Sequence, residues 1–161
     1  MTGPTERHLD QARKLFFDYD GSGFYMSRDG VDVEYQRYSV SKELEREWLD
    51  ELTAIKLKKL QDPGNWSVVH FLWHHGDSRQ LSLLIQTKPL GAFWERCAFL
   101  EELLVYIGMC SRGASLDEIR DAADYALVEA RGLEASVSDE KSRKRLDRLI
   151  SSATDLRSSH S

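Results

Sequence analysis

Cysteine and proline are both scarce in this chain, and no long apolar run or excess of positive charge is present. Cys97 and Cys110 are the 2 cysteines among 161 residues, too few for the disulfide framework of a small secreted scaffold. Only 3 prolines occur, which argues against a linker-rich or disordered protein. The opening MTGPTERHLD has no apolar signal core, and no uncharged stretch approaches the length of a membrane span. A cytoplasmic location without membrane contact is therefore the expectation, and the sequon Asn65-Trp66-Ser67 carries little weight without a secretory route. With 22 Lys and Arg against 27 Asp and Glu, the net charge of −5 disfavours broad electrostatic binding to nucleic acid. The basic cluster at Lys141, Arg143, Lys144, Arg145 and Arg148 is interleaved with Asp139, Glu140, Asp147 and Asp155, as on a solvated helix face. G-x-S-x-G, a Gly-rich phosphate loop and H-E-x-x-H are all missing.

Bulky core material is plentiful: 4 Trp, 6 Tyr and 6 Phe suit one domain over 1–161, with 1–4 and 158–161 expected to be disordered. Leu9, Ala12, Leu15 and Phe16 fall at helical spacing over 5–17. A strand is expected at 24–28 and another at 31–38, where Val31, Val33 and Tyr35 alternate with polar residues across an Asp29-Gly30 hairpin turn. Ser39 or Ser41 caps a helix reaching about Gln61, with Leu44, Trp48, Leu52 and Ile55 on one face. Asp62-Pro63-Gly64-Asn65 stops it. Two further strands are read at 66–74 and 81–87, although a helical period also fits 78–86. A helix apolar nearly all round covers 92–109, as for an element central to the core or covered by a partner. A helical hairpin follows over 115–157, opened by the capping box Ser115/Glu118. The expected class is α+β, in the order α-ββ-α-ββ-ααα, with an antiparallel sheet of about four strands and about five helices.

Among candidate sites, 18–29 comes closest to a motif. Asp18, Asp20 and Ser22 stand at positions one, three and five of an EF-hand-like calcium loop, with Gly23 at six, the Phe24 carbonyl at seven and Asp29 at twelve. The match covers only these residues. An Asp at position twelve reaches less far than the usual Glu, no second loop exists, and strand-like alternation follows where an exit helix belongs. A turn between a helix and a strand explains the same residues.

His70, His74 and His75 with Cys97 and Cys110 raise zinc. On a strand, however, His70 and His74 would stand roughly 13 Å apart, and only a helix would let them chelate. A pocket lined by His70, His74 and Cys97 is the corresponding guess for a small enzyme without a visible motif. Adjacent Glu101 and Glu102 point about 100° apart on a helix and cannot oppose one another. The aromatic group Trp66, Phe71 and Trp73 is the candidate partner surface, because aromatic residues dominate binding hot spots.

These readings favour a non-catalytic cytoplasmic protein that binds another protein or a second copy of itself. Immunity proteins, antitoxins and secretion chaperones are of this kind. A calcium-binding module and a small enzyme are the alternatives, and no cofactor other than Ca²⁺ is expected.

Overall fold

The computed structural model describes residues 5–160, so the expectations for 1–4 and for 161 lie outside it. Among the described residues there are nine α-helices, three short 3₁₀ turns and no strand. The expected antiparallel sheet is therefore wrong, and the class is all-α. Contacts cluster into two compact units, Met1–Leu57 and Lys58–Ser161.

In the first unit, α1 (Glu6–Asp18), α2 (Gly23–Arg28), α3 (Asp32–Arg37) and α4 (Lys42–Lys58) follow one another. α1 buries Ala12 and Phe16, and α4 buries Trp48 and Leu52. The Phe16 ring lies 5.5 Å from Trp48 and 6.4 Å from Tyr35, so one aromatic cluster joins α1, α3 and α4. Arg13 bonds Glu51 at 2.6 Å across α1 and α4. The Ser41 hydroxyl accepts the Leu44 N–H at 3.2 Å, the N-cap of α4.

The expected hairpin at 24–38 is two helices, and the Asp-Gly pair shows why. Gly30 has φ +75° while Asp29 does not leave the negative side. Gly30 N–H donates to the Ser27 carbonyl and Val31 N–H to the Met26 carbonyl, the paired bonds that close a helix on a left-handed glycine. A two-residue hairpin would need positive φ at both residues. The alternation Val31, Val33, Tyr35 also misleads, because residues i and i+4 share a face in both periods. Val33 decides between them: it is 56 % exposed, whereas Val31 and Tyr35 are half-buried.

The second unit is built around α7 (Phe93–Cys110), whose Cys97, Phe99, Leu100, Leu103, Tyr106 and Ile107 are fully buried. α5 (Trp66–His74) and α6 (Leu81–Leu84) precede it, and α8 (Leu116–Gly132) and α9 (Glu140–Ser158) follow. α5 runs in the same direction as α7, since Trp66 meets Trp94 and His70 meets Glu102. α8 and α9 are antiparallel, as the pairs Arg120–His160 and Asp124–Arg157 require, and α9 continues through Ser158. Asn65 organises the entry to α5 and is 1 % exposed. Its amide donates to the Leu60 and Lys88 carbonyls at 3.0 and 2.9 Å, and its oxygen accepts the Leu90 N–H at 3.2 Å.

The expected strand at 66–74 is α5. Val68, Val69, Phe71 and Leu72 are buried, a pairing of neighbours three and four apart that only a helix turns to one side. Read as a strand, the segment had two apolar faces. As a helix it has one, with Trp66, His70, Trp73 and His74 left on the other. At 81–87 the helical period prevails, with Leu81 and Leu84 buried and Leu83 41 % exposed.

Candidate functional site

α5, α8 and α9, with α6 and the turn at 78–80, cover α7, and one strip of it stays open. α5 packs against it beside Glu102, α9 beside Glu101 and Leu104, and α8 behind. Trp94, Ala98, Glu101, Val105 and Gly108 recur at spacings of four and three, so they lie along one line of the helix. Trp94 is 52 % and Val105 49 % exposed.

On one flank stand residues of α5. The Trp66 and Trp94 rings are 6.3 Å apart. The Glu102 carboxylate accepts the Trp73 indole N–H and lies 3.2 Å from His70 Nδ1. The His74 ring stacks on His70 with centroids 5.9 Å apart. On the other flank α7 and α9 enclose a groove of about 460 Å³, lined by Leu104, Val105 and Leu149 with Glu101, Arg145, Arg148 and Ser152 at its edges. Arg145 bonds both oxygens of Glu101, at 2.6 and 3.4 Å. That carboxylate holds the Arg145 guanidinium above its ordinary value.

The sequence candidates fall in separate places. Of the aromatic group, Trp66 and Trp73 edge this face, whereas Phe71 is a core residue at 4 % exposure. The helix brings His70 and His74 one turn apart. Cys97 is fully buried on the α9 side of α7, its thiol raised by burial and influenced by Arg145, so His70, His74 and Cys97 share no pocket. Cys110 lies at the far end of α7 against the Ser78 carbonyl. Asn65 is enclosed, so its sequon is inaccessible in the folded chain.

The residues of 18–29 serve as helix punctuation. Asp18 ends α1 and pairs with Lys14. Asp20 takes φ +51° just after it and pairs with Lys56 at 2.9 Å. Ser22 is buried and caps α2 by accepting the Tyr25 N–H. Phe24 sits inside α2 with its ring 67 % exposed. Asp29 pairs with Arg28 at 2.8 Å, which lowers the carboxyl below its ordinary value. Asp18, Asp20, Asp29 and Arg28 edge one open depression with Tyr19 and Tyr25. Among the described residues no three His, Cys, Asp or Glu side chains are placed to hold one metal ion.

Val105 draws no attention in the sequence, where Glu102 reads only as half of an unopposed acidic pair and Arg148 as part of a solvated basic face. The available signal was the four-and-three spacing 94–98–101–105–108 on a helix apolar all round. Among the described residues no helix is long and apolar enough to cross a membrane. No family model, curated protein or solved structure matches this chain.

Proposed function

We propose that this chain is a non-catalytic, cytoplasmic protein-binding protein whose docking surface is the open strip of α7 between α5 and α9. One observation carries the reading: Trp94 and Val105 stand about half exposed on the helix that supplies Cys97, Phe99, Leu100, Leu103, Tyr106, Ile107 and Cys110 to the core, flanked by Trp66 and Trp73. Such a helix has more apolar surface than its own neighbours cover, and aromatic anchors beside aliphatic floor are what protein interfaces use. The two cysteines, both buried thiols, suit a reducing compartment. Roles of the immunity, antitoxin or chaperone kind are compatible with a small helical binder of this sort.

The test is capture of a defined partner by the full chain in its source cells, compared with the Val105→Asp variant. A stoichiometric partner held by the wild type and lost by a variant of unchanged helicity supports the reading. A chain that stays alone, or a partner retained equally by the variant, overturns it.

A further inference from the structure

We infer that the partner on the α7 face is an acidic amphipathic helix, its apolar stripe seated on Trp94 and Val105 and its carboxylates turned towards Arg148 and the basic edge of α9. The inference rests on reading this face as a docking surface and adds the chemistry of what docks there.

Charge singles out the occupant. Between Glu140 and Ser158, α9 carries six Lys and Arg against three Asp and Glu, a net +3. The whole chain is −5, so the remainder is −5 − 3 = −8. A basic helix of an otherwise acidic chain thus borders the groove. Lys141, Arg145, Arg148 and Ser152 recur at four, three and four, which places them on the side of α9 that edges the groove. Arg145 is committed to Glu101, Lys144 to Glu140 and Arg157 to Asp124. Arg148, by contrast, is exposed and makes no ion pair among the described residues. A guanidinium beside apolar floor, with no carboxylate of its own, favours a partner that supplies both an apolar residue and an acid.

Shape adds the helix. The open strip is linear, following α7 from Trp94 to Gly108 beside the groove that Glu101, Leu104 and Val105 line, and Gly108 and Ser152 leave one end free of bulk. A helix laid along a groove presents apolar residues at the same three-and-four spacing. Nucleic acid fits less well, because an apolar floor offers nothing to a phosphate backbone and the rest of the chain repels it.

The experiment uses the full chain and two labelled synthetic helical peptides of about 20 residues, ~30 Å long. They share one leucine stripe and carry either Glu or Lys beside it. The acidic peptide should bind about tenfold or more tighter than its Lys counterpart, and Arg148→Glu should reverse that order. Val105→Asp should abolish binding while circular dichroism and melting stay those of the wild type. Equal or tighter binding of the Lys peptide, still lost in Val105→Asp, overturns the acidic partner and leaves the docking face standing. Binding indifferent to Val105→Asp overturns both. If neither peptide binds, the inference is wrong. Sedimentation then separates a Val105-dependent dimer, which makes a second copy the occupant, from a lone monomer, which also removes the face. Tighter binding of a short DNA duplex through Arg148 than of the acidic peptide would likewise overturn it.

Discussion

The indole N–H of Trp73 donates to the carboxylate of Glu102, tying the outer face of α5 to α7. The same Glu102 oxygen lies 3.2 Å from His70 Nδ1, so one half-buried acid serves two polar groups that stand among aromatic rings. Removing it leaves the Trp73 indole N–H without that acceptor, and an unsatisfied half-buried polar group costs more than a hydrogen bond contributes on average. Glu102→Ala should therefore lower stability by about 1–2 kcal/mol. Glu102→Gln, which keeps an acceptor, should lose less. Urea denaturation of both variants checks this, and an unchanged midpoint in Glu102→Ala would show that the contact is decorative.

Asn65 makes a sharper test because its geometry distinguishes a donor from an acceptor. Its buried amide nitrogen donates to two carbonyls, and its oxygen accepts one N–H. Asn65→Asp preserves shape but sets a carboxylate oxygen against the Leu60 and Lys88 carbonyls. It should destabilise by about 2–3 kcal/mol or more, at least as much as Asn65→Ala. An Asn65→Asp chain as stable as the wild type at neutral pH would refute the hydrogen-bond assignment.

The longer helices were legible in the sequence, while α2, α3 and α5 were not and α6 was legible only as the alternative to a strand, and the residues explain the division. α8 and α9 each span four turns or more, so stripes such as Leu146, Leu149 and Ala153 repeat often enough to fix the period. α2 and α3 have six residues each, fewer than two turns. There Val31 and Tyr35 satisfy either period, and only the exposure of Val33 separates them. In α5 the pair Val68-Val69 and the aromatic neighbours carry strand propensity, and packing against α7 overrides it. Glu102 could not have been assigned locally, because Trp73 and His70 lie 29 and 32 residues away.

Calcium is expected to leave the protein unchanged. Asp18, Asp20 and Asp29 each pair with a cation, and the Ser22 hydroxyl is used in capping α2. A metal ion would have to break these pairs and unwind α2 to reach a ligand set of six or more oxygens. Melts in EDTA and in millimolar CaCl₂ should coincide. A site filled at about a hundred times its Kd would add ~2.7 kcal/mol and raise the midpoint by several degrees. Such a rise, abolished by Asp18→Ala with Asp20→Ala, would restore the loop as a binding site.

The two thiols offer a pH test of the α7 core. Burial is the largest influence on both and pushes each above its ordinary value, against the lowering effect of Arg145 on Cys97 and of the Tyr106 hydrogen bond on Cys110. A folded value above the unfolded one means that the neutral thiol is favoured in the core. The associated stability is whole below about pH 8.5, the unfolded range, and is lost as pH rises through the folded values. Stability should accordingly fall on the alkaline side, and less so in the Cys97→Ala, Cys110→Ala double variant. At about pH 8 neither thiol should react with a disulfide reagent within minutes in the native protein, since the thiolate is the nucleophile. Both should react at once in concentrated guanidinium. Oxidation should yield no internal bridge either, because thirteen residues of one helix hold the two sulfurs roughly 20 Å apart. Rapid native labelling of Cys97 would mean that the α7–α9 contact opens freely, and the groove between those helices would then not be the preformed floor on which a partner helix could dock.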